Sequence, residues 1–402
     1  MTEIHLTEFQ IADALAGADT RPSDDWRFVP VPTEAALDEA LNHWKARDGV
    51  QAGVLALVCD TAADLESVSV LQRLATAKDM ALCGAVVPGL LTPDTVSRAG
   101  VLLTTCAKTT ARAVVQLPSV DGRTEDEATQ ALIDFAGEAA NPAGGDMLLM
   151  FMDVRVPDSA SIIDRVYLDL GDSLTYAGMS VGSESFTSEP CIFDNERFVA
   201  DAVLAIIQRD HPGPTLAHHY RGNEALWVAT VAKGGHINTI DGRPAFEVYQ
   251  ELMTNDYGIT VDRENFYQYG VHYPFALTRA QGEPLVRIPV KVEEDGSVYC
   301  SGEIRENSLV SIVRAVKPGT VSAAIEVGKG ASAHATKTVM LFYCAGRFLH
   351  MGDAGATDEV RAIREAAAPA QVYGALCLGE IGALKDQYPT FHNCTLTALP
   401  WM

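Results

Sequence analysis

Three short apolar segments of similar pattern recur along the chain. They are continuous runs of strand length, too short for a helix, at 54–60 (VLALVCD), 147–153 (MLLMFMD) and 339–345 (VMLFYCA). A second short strand that contains a glycine follows each of them, at 82–89, 175–182 and 372–379. A more polar extended segment closes each unit. The pattern predicts three copies of a helix–strand–helix–strand–strand unit, with the first two strands parallel.

The helices of these units are indicated by apolar residues three or four positions apart. The first helix of each unit begins after Thr33, after Thr124 and near Pro318, and Thr124-Glu-Asp-Glu127 has the form of a capping box. The second helices are marked by Leu65, Val68 and Leu71; by Ile162, Val166 and Leu170; and by Val360, Ile363 and Ala367. Each predicted helix therefore has one apolar face to pack on a sheet.

The region from about 200 to 317 does not fit the repeat. It is predicted to contain strands at 225–232, 236–240, 273–279, 285–293 and 310–316, and one helix from Pro244 to Leu252. We interpret it as a strand-rich connection that belongs to the second domain. The predicted fold class is α/β, with mixed α+β character and two domains.

Composition and charge exclude several classes of partner. The 402 residues are 48% hydrophobic, and 30 basic against 53 acidic residues give a net charge of −23. Nucleic acids and anionic membranes need a basic surface, so neither is expected as a partner. No apolar run approaches the roughly 20 residues of a membrane helix. The polar N-terminus and eight cysteines without a C-x-x-C pair indicate a reduced, cytoplasmic protein without disulfides.

Four motifs in the C-terminal part occur in the order found in one known family. They are Asp241-Gly-Arg-Pro-Ala-Phe-Glu-Val-Tyr249, Cys344-Ala-Gly-Arg347, Gly379-Glu-Ile-Gly382 and Phe391-His-Asn-Cys-Thr-Leu-Thr397. These motifs resemble the C-terminal domain of the FIST family. Residues 31–240 are similar to its N-terminal domain, with Gly178 to Gly182 in the glycine-rich strand. The resemblance predicts an N-terminal extension (1–30), a FIST N-like domain (31–240) and a FIST C-like domain (241–402).

The resemblance implies a cytoplasmic sensory role in signal transduction. Members of the family are expected to bind small ligands, often proposed to be amino acids, and one branch resembles haem-binding nitric-oxide sensors. In many members the domain accompanies kinase, cyclase or chemoreceptor modules, for which this chain has no room. We therefore expect its partner to be a separate signalling protein such as a histidine kinase or a cyclase.

The repeat alignment places charged residues where ligands bind in open α/β sheets, beyond the carboxyl ends of the strands. Arg155 and Arg347 each lie eight residues after the start of a first strand, and Glu184 and Glu380 each lie six residues after the glycine of a second strand. An arginine can bind a carboxylate and a glutamate can bind an ammonium, so each pair could hold an amino-acid zwitterion.

The third repeat is the preferred site, because Arg347 and Glu380 belong to the family motifs. Gly379 is expected to allow close approach of the ligand, and His392 and Asn393 are expected to flank it. The first repeat has Ala62 and Leu90 at the corresponding positions and is expected to be inert. The alternative interpretation is that each Arg–Glu pair is a structural salt bridge between two loops.

A haem sensor is the alternative function. Without a C-x-x-C-H motif the haem would be bound non-covalently, with His219 or His392 as the axial ligand. A single histidine more often has a surface or packing role than a ligating one. The main interpretation therefore includes no cofactor, and no spacing of residues resembles a zinc site.

A less favoured alternative is a serine hydrolase. Gly178-Met-Ser-Val-Gly182 matches G-x-S-x-G, in which Ser180 would be the nucleophile. A nucleophile elbow requires a strand, a sharp turn and a helix, whereas Ser180 is predicted to lie inside a strand and the residues after it are not helical. We therefore expect a protein that is not an enzyme.

Overall fold

The computed structural model describes residues 9–10, 24–49, 52–93, 95–117, 125–156, 158–186, 189–221, 225–279, 283–383 and 387–401. The helices are α1 (Glu34–Asp48), α2 (Ala62–Ala77), α3 (Glu125–Ala139), α4 (Ser159–Leu170), α5 (Ala245–Tyr257), α6 (Phe266–Gly270), α7 (Ser322–Ser332) and α8 (Ala345–Ala367). The predicted capping residue Thr124 lies outside the described residues.

The strands in chain order are β1 (Phe9–Gln10), β2 (Trp26–Val29), β3 (Ala52–Cys59), β4 (Ala81–Val87), β5 (Gly89–Leu91), β6 (Thr95–Ser97), β7 (Val101–Ala107), β8 (Arg112–Gln116), β9 (Asp146–Asp153), β10 (Leu174–Val181), β11 (Ile192–Asp194), β12 (Phe198–Val199), β13 (Ala202–Gln208), β14 (Thr215–Ala217), β15 (Trp227–Lys233), β16 (His236–Ile240), β17 (Arg243–Pro244), β18 (Phe275–Leu277), β19 (Leu285–Arg287), β20 (Pro289–Val292), β21 (Val298–Cys300), β22 (Ser308–Ile312), β23 (Thr338–Cys344), β24 (Gln371–Cys377), β25 (Glu380–Gly382), β26 (Thr390–His392) and β27 (Leu396–Trp401).

The three predicted repeats are confirmed, and each forms the centre of its own sheet. The parallel pairs are β3 with β4, β9 with β10, and β23 with β24. On the other side of each first strand runs an antiparallel third strand, which is β7, β13 or β27. We name these the repeat-1, repeat-2 and repeat-3 sheets. The predicted α/β fold class is therefore correct.

The repeats exchange hairpins in a cycle. After its second strand, each repeat sends a short hairpin into the sheet of another repeat. Hairpin β5–β6 of repeat 1 pairs with β24, β11–β12 of repeat 2 pairs with β4, and β25–β26 of repeat 3 pairs with β10. Sheets are thus shared between the N-terminal and C-terminal parts of the chain.

The glycine of each second strand lies where the backbone leaves no room for a side chain. Gly84, Gly178 and Gly374 lie opposite carbonyl groups of the first strands, and a Cβ at any of them would overlap such a carbonyl oxygen. The incoming hairpin places Phe193, Ile381 or Leu91 directly across from the glycine. The glycines recognised as a repeat marker therefore have a common structural cause, which is close packing of the backbone.

The main hydrophobic core lies between the three sheets. Buried side chains from all three parallel pairs meet there, including Leu57, Phe151 and Phe342. The outer faces of the sheets are covered by helices: α1 and α2 on repeat 1, α3 and α4 on repeat 2, and α7 and α8 on repeat 3. Each helix thus buries the apolar face by which its position was predicted.

The region between the second and third repeats forms a fourth, barrel-like sheet. Its strand order is β19–β18–β22–β15–β16–β21–β20, with β17 beside β16, and helix α5 packs on it. The predicted strand-rich character is confirmed. However, residues 202–208 were assigned to this region and instead form β13 of the repeat-2 sheet. The prediction was wrong there because β13 is almost entirely buried and lacks the polar residues expected of a closing strand.

Helix α8 connects the third repeat to the barrel-like sheet. Gly352 interrupts it with non-helical dihedral angles, so a short first segment precedes a longer second one. A small apolar cluster that includes Tyr220, Ile288 and Cys344 joins the barrel-like sheet to the start of α8. Within the described parts of the chain, no helix has the length and apolar character needed to span a membrane.

Candidate ligand site

A pocket lies where β23 and β24 end and α8 begins. Its lining comes from the loop after β10 (Glu184 and Phe186), from α6, the barrel-like sheet and the residues next to them (Tyr267, Ile288, Val290 and Ser301), and from the third repeat (Cys344, Ala345, Gly346, Leu349 and Leu378). This is the carboxyl edge of the parallel strands of repeat 3, at which the sequence predicts a ligand. Three separate parts of the fold therefore meet at the pocket.

The pocket is small and mainly apolar. Its volume is about 30 Å³, whereas a single water molecule needs roughly 10–15 Å³ on the same scale. Aliphatic and aromatic side chains form most of its wall. In this state it has room for a few non-hydrogen atoms, and a larger ligand would have to displace a wall residue.

Glu184 places a carboxylate at this apolar wall. One of its oxygens accepts a hydrogen bond from Arg98 at 2.7 Å, and only 10% of its side chain is exposed. Burial raises the pKa of Glu184 to about 7, although the charge of Arg98 opposes that effect. Near neutral pH this carboxyl is therefore close to its midpoint, and a bound cation would compete with the proton.

Asp60 provides a second carboxylate beside Glu184. It directly follows β3, and burial raises its pKa, while Arg98 and a hydrogen bond from Ser183 act in the opposite direction. The charge of Asp60 in turn raises the pKa of Glu184. Two carboxylates share one arginine in this cluster, so it favours an additional positive group.

A buried amide lies behind the pocket wall. Asn393 donates a hydrogen bond from Nδ2 to the hydroxyl of Ser301 at 3.3 Å, and Ser301 donates to the carbonyl of Leu378 at 3.2 Å. The Oδ1 atom of Asn393 is buried without a hydrogen-bond partner. Asn393 thus contacts a lining residue rather than lining the pocket itself.

Arg347 points into the protein interior. Its guanidinium is completely buried and forms an ion pair with Glu359, with Nη2 to Oε1 at 2.5 Å and Nε to Oε2 at 3.0 Å. Nη1 donates to the carbonyls of His218 and Cys394, each at 3.0 Å. Since Glu359 belongs to the second segment of α8, the ion pair joins the two segments across the kink.

Glu380 is also completely buried and engaged. One carboxylate oxygen accepts hydrogen bonds from the backbone N–H and the hydroxyl of Thr395 at 3.0 and 2.5 Å, and the thiol of Cys377 donates to the other at 3.1 Å. Burial raises the pKa of Glu380. The predicted pairing of Arg347 with Glu380 is not found, because each has another partner and Glu380 lies in the repeat-2 sheet.

The remaining predicted residues also lie outside the lining. Gly379 has no room for a side chain because the ring of Phe391 occupies that space. Arg155 is exposed after β9 and does not pair with Glu184, whose ion pair is with Arg98. Of the seven residues predicted to bind a ligand, Glu184 lines the pocket and Asn393 contacts its wall.

The histidines proposed as haem ligands are engaged elsewhere. His219 contacts Ser322 through Nδ1 at 2.7 Å and Glu326 through Nε2 at 2.8 Å. His392 is buried, its Nε2 contacts the carbonyl of Gly382 at 3.1 Å, and burial lowers its pKa to about 3. Neither histidine lines the pocket, whose volume is far below that of a porphyrin. The residues present therefore do not fit a haem.

Arg98 and Asp60 were not predicted as site residues, and both belong to the repeat expected to be inert. Asp60 had a recognisable signal, since the first strands of repeats 1 and 2 end in aspartate at the same position, Asp60 and Asp153. Arg98 had none. It reaches Glu184 only because hairpin β5–β6 of repeat 1 crosses into another sheet, and Arg98 directly follows that hairpin.

The fold and its pocket define an α/β protein of three repeats with an inserted barrel-like sheet. Residues 54–243 match the FIST N domain and residues 245–383 match the FIST C domain, so the two matches cover most of the chain. The chain belongs to the FIST family, whose domains are sensory domains of signal transduction. No curated protein shows significant similarity to it.

Proposed function

We propose that this protein is a cytoplasmic sensory protein that binds a small amine-bearing metabolite in the pocket beside α8, with an amino acid as the leading class. The observation that carries the proposal is the carboxylate of Glu184, held at an otherwise apolar wall. An ammonium group can bind there, and the short apolar wall suits a small side chain.

Arg98 is proposed to take the carboxylate of the ligand. Arg98 lies behind the pocket wall rather than in it, but its ion pair with Glu184 at 2.7 Å places an arginine and a glutamate side by side, as a zwitterion requires. The amino acid would insert between these two groups and replace their mutual contact with two contacts of its own. This assigns to Arg98 and Glu184 the roles expected of Arg347 and Glu380.

We propose a binding protein rather than an enzyme. Ser180 lies inside β10, where its N–H donates to the carbonyl of Gly379 and its carbonyl accepts from Leu378. Only 2% of Ser180 is exposed. A nucleophile elbow needs an exposed serine at a strand-to-helix turn, so this environment gives the hydrolase alternative no support.

The position of the pocket suggests how binding could be transmitted. A ligand there would contact the loop after β10, the barrel-like sheet and the start of α8 at once. Because a closely packed wall must move to admit more than a few atoms, occupancy would shift these parts relative to one another. The signal would then pass to a separate signalling protein, such as a histidine kinase or a cyclase.

A thermal-shift titration of the full chain tests the proposal. Glycine and alanine, which carry both charges, are compared with methylamine and acetate, which carry one each. We expect saturable stabilisation by an amino acid, none by acetate, and loss of the response in Glu184→Gln. The exposed Glu196→Gln serves as the matched control and should respond like the wild type. Equal responses of the two variants would contradict the role of Glu184.

Filling the pocket provides a second test. Val290 is half-buried in the pocket wall, so Val290→Phe adds a ring to the space a ligand would occupy. We expect the variant to keep its fold, measured by circular dichroism, and to lose ligand-induced stabilisation. A full ligand response in a folded Val290→Phe variant would place the binding site elsewhere.

A further inference from the structure

Two cysteines lie on one face of the repeat-1 sheet, on either side of β3. Cys83 of β4 is paired with Leu55 of β3, and Cys106 of β7 is paired with Gly53. A Cβ at Gly53 would lie 2.9 Å from the carbonyl oxygen and 3.3 Å from the sulfur of Cys106, so the thiol of Cys106 packs directly over this glycine. The two cysteines therefore lie on the same face of the sheet, on either side of β3.

Arg112 of β8 extends its guanidinium to both thiols. Nη1 lies 3.7 Å from the sulfur of Cys106 and 4.0 Å from that of Cys83. The other nitrogens donate to backbone carbonyls of the turn before β8: Nη2 to Ala107 and Lys108, both at 3.0 Å, and Nε to Thr110 at 3.2 Å. These bonds hold the guanidinium in place.

The positive charge of Arg112 has no carboxylate partner within ion-pair distance among the described residues. A half-buried guanidinium is normally matched by an anion. The groups in contact with it that can become anionic are the two thiols, so the geometry favours a thiolate beside Arg112.

Cys106 is the better placed of the two thiols to be that anion. It is nearer to Nη1 than Cys83, and it is half-buried whereas the other seven cysteines are buried. The thiol of Cys83 and the charge of Arg112 lower the pKa of Cys106, whereas burial acts in the opposite direction. Arg112 is in turn the residue placed to hold the thiolate.

We propose that Cys106 is a reactive thiolate site that is oxidised by hydroperoxides, with Arg112 as the residue that stabilises the thiolate. The sulfur attacks the terminal oxygen of the hydroperoxide, so an S–O bond forms and the O–O bond breaks. Sulfur is oxidised to the sulfenic acid, the hydroperoxide is reduced, and the leaving oxygen takes a proton from water to give an alcohol, or water from hydrogen peroxide.

Oxidation stops at the sulfenic acid rather than continuing to a disulfide with Cys83. Strand β3 lies between β4 and β7, and the two cysteines pair with residues of β3 two positions apart, so their backbones are separated by more than two strand spacings, which are about 9–10 Å. A disulfide requires Cα atoms within roughly 7 Å. The bonded strands of the repeat-1 sheet cannot close that difference without breaking.

Alkylation kinetics test the thiolate directly in the full-length protein. Limited treatment with iodoacetamide at pH 7, followed by peptide mass mapping, should modify Cys106 at least about tenfold faster than any other cysteine. Treatment with hydrogen peroxide and then dimedone should place the sulfenic-acid adduct on the same residue. Equal labelling of Cys106 and the buried cysteines, or an adduct on another cysteine, would overturn the proposal.

Substitution of Arg112 tests its part in the site. Arg112→Gln should slow alkylation of Cys106 by about tenfold at pH 7, since loss of the charge raises the thiol pKa by about one unit. Arg112→Lys keeps the charge and should retain most of the rate, which separates electrostatics from misfolding. The exposed Arg165→Gln is the control and should react like the wild type. An unchanged rate in a folded Arg112→Gln variant would exclude the arginine from the site.

Discussion

The parallel strands of the second and third repeats end in the same way. The two repeats differ in the surface that packs against the carboxyl ends of those strands. In repeat 3 the barrel-like sheet presents the apolar residues Ile288 and Val290, and a pocket stays open beside α8. In repeat 2 the residues beyond β21 present Glu303, whose carboxylate accepts hydrogen bonds from the N–H and hydroxyl of Ser161 at 2.9 and 2.8 Å. The start of α4 is thus already occupied by a protein carboxylate. The cavity at this end of repeat 2 is accordingly polar, with Ser161, Glu303 and Arg305 in its wall, so the surface packed against each repeat decides the chemistry of its cavity.

The arginines at equivalent positions show the same dependence on surroundings. Arg155 and Arg347 each lie eight residues after the start of a first strand, yet Arg155 is exposed and Arg347 is completely buried with Glu359. The same residue type at the same offset is a surface side chain in one repeat and part of the interior in the other. A sequence offset therefore does not predict the role of the side chain.

Substitution of the two arginines should give the largest difference in stability and therefore the strongest test of this contrast. Arg347→Ala leaves Glu359 buried without its partner, so we expect a loss of about 3–5 kcal/mol in the free energy of unfolding. Arg155→Ala at the exposed equivalent position should change it by less than about 0.5 kcal/mol. Urea unfolding of the two variants measures both values. Similar small losses in both would contradict the structural role of Arg347.

The pH dependence of stability distinguishes the open pocket of repeat 3. The folded-state pKa of Glu184, about 7, lies above its ordinary value of 4.5. Its protonation therefore stabilises the fold fully below pH 4.5, and this contribution is lost as the pH rises through 7. At about 1.4 kcal/mol per pKa unit, the loss is up to about 3 kcal/mol.

The difference between wild type and Glu184→Gln isolates this contribution from other titrating groups. We expect the wild type to lose stability relative to the variant between pH 5 and 8, as measured by urea unfolding at several pH values. The stability of the Glu196→Gln variant should change with pH in the same way as that of the wild type. A wild type that gains stability relative to Glu184→Gln over this range would show that the carboxylate, not the acid, is the favoured form.

Glu303 provides the corresponding test in repeat 2. Glu303→Ala removes both hydrogen bonds to Ser161 at the start of α4, so we expect a loss of about 1 kcal/mol in the free energy of unfolding. The exposed Glu306→Ala is the matched control, with little expected change. If Glu303→Ala were as stable as this control, the carboxylate would not be what distinguishes the two repeats.

The smallest effect is expected from the ion pair beside Glu303. Arg305 contacts Asp164 of α4 at 2.6 Å, but 58% of the arginine side chain is exposed. Arg305→Ala should cost less than about 1 kcal/mol, and salt should reduce that cost, because water and ions screen exposed pairs. The free energy of unfolding of the variant and the wild type, measured at low and at high salt, tests both expectations. A larger, salt-independent cost would indicate that Arg305 supports the junction by packing.

Much of the fold could be predicted from the sequence because its signals are local. Apolar runs such as 147–153, helical spacing around them, and one glycine per second strand were sufficient to locate all three parallel pairs. The exception was β13, whose buried sequence differs from that of a polar closing strand. Its partners are set by the sheet it joins and not by its own pattern.

The candidate site could be predicted only in part. The strand assignment indicated the edge of the repeat-3 sheet at which the pocket lies, but it placed Glu184 at the edge of repeat 2 with Arg155, whereas Glu184 lines the repeat-3 pocket with Arg98 as its partner. Arg98 was missed because its position depends on the sheet that hairpin β5–β6 enters. Arg347 was matched with Glu380, which hairpin β25–β26 carries into the repeat-2 sheet, and it pairs with Glu359 of its own helix instead. The choice of sheet involves residues far apart in the chain, such as Leu91 with Gly374 and Ile381 with Gly178.

The sequence by itself thus determined the repeating unit, its parallel strands and the edge at which a ligand could bind. These follow from hydrophobic periodicity and from positions where only glycine leaves enough room. The tertiary structure alone decided which charges meet at that edge, through the exchange of hairpins and the packing of the barrel-like sheet. The physical reason is that burial and ion pairing depend on neighbours brought together from distant parts of the chain, and no local pattern encodes them.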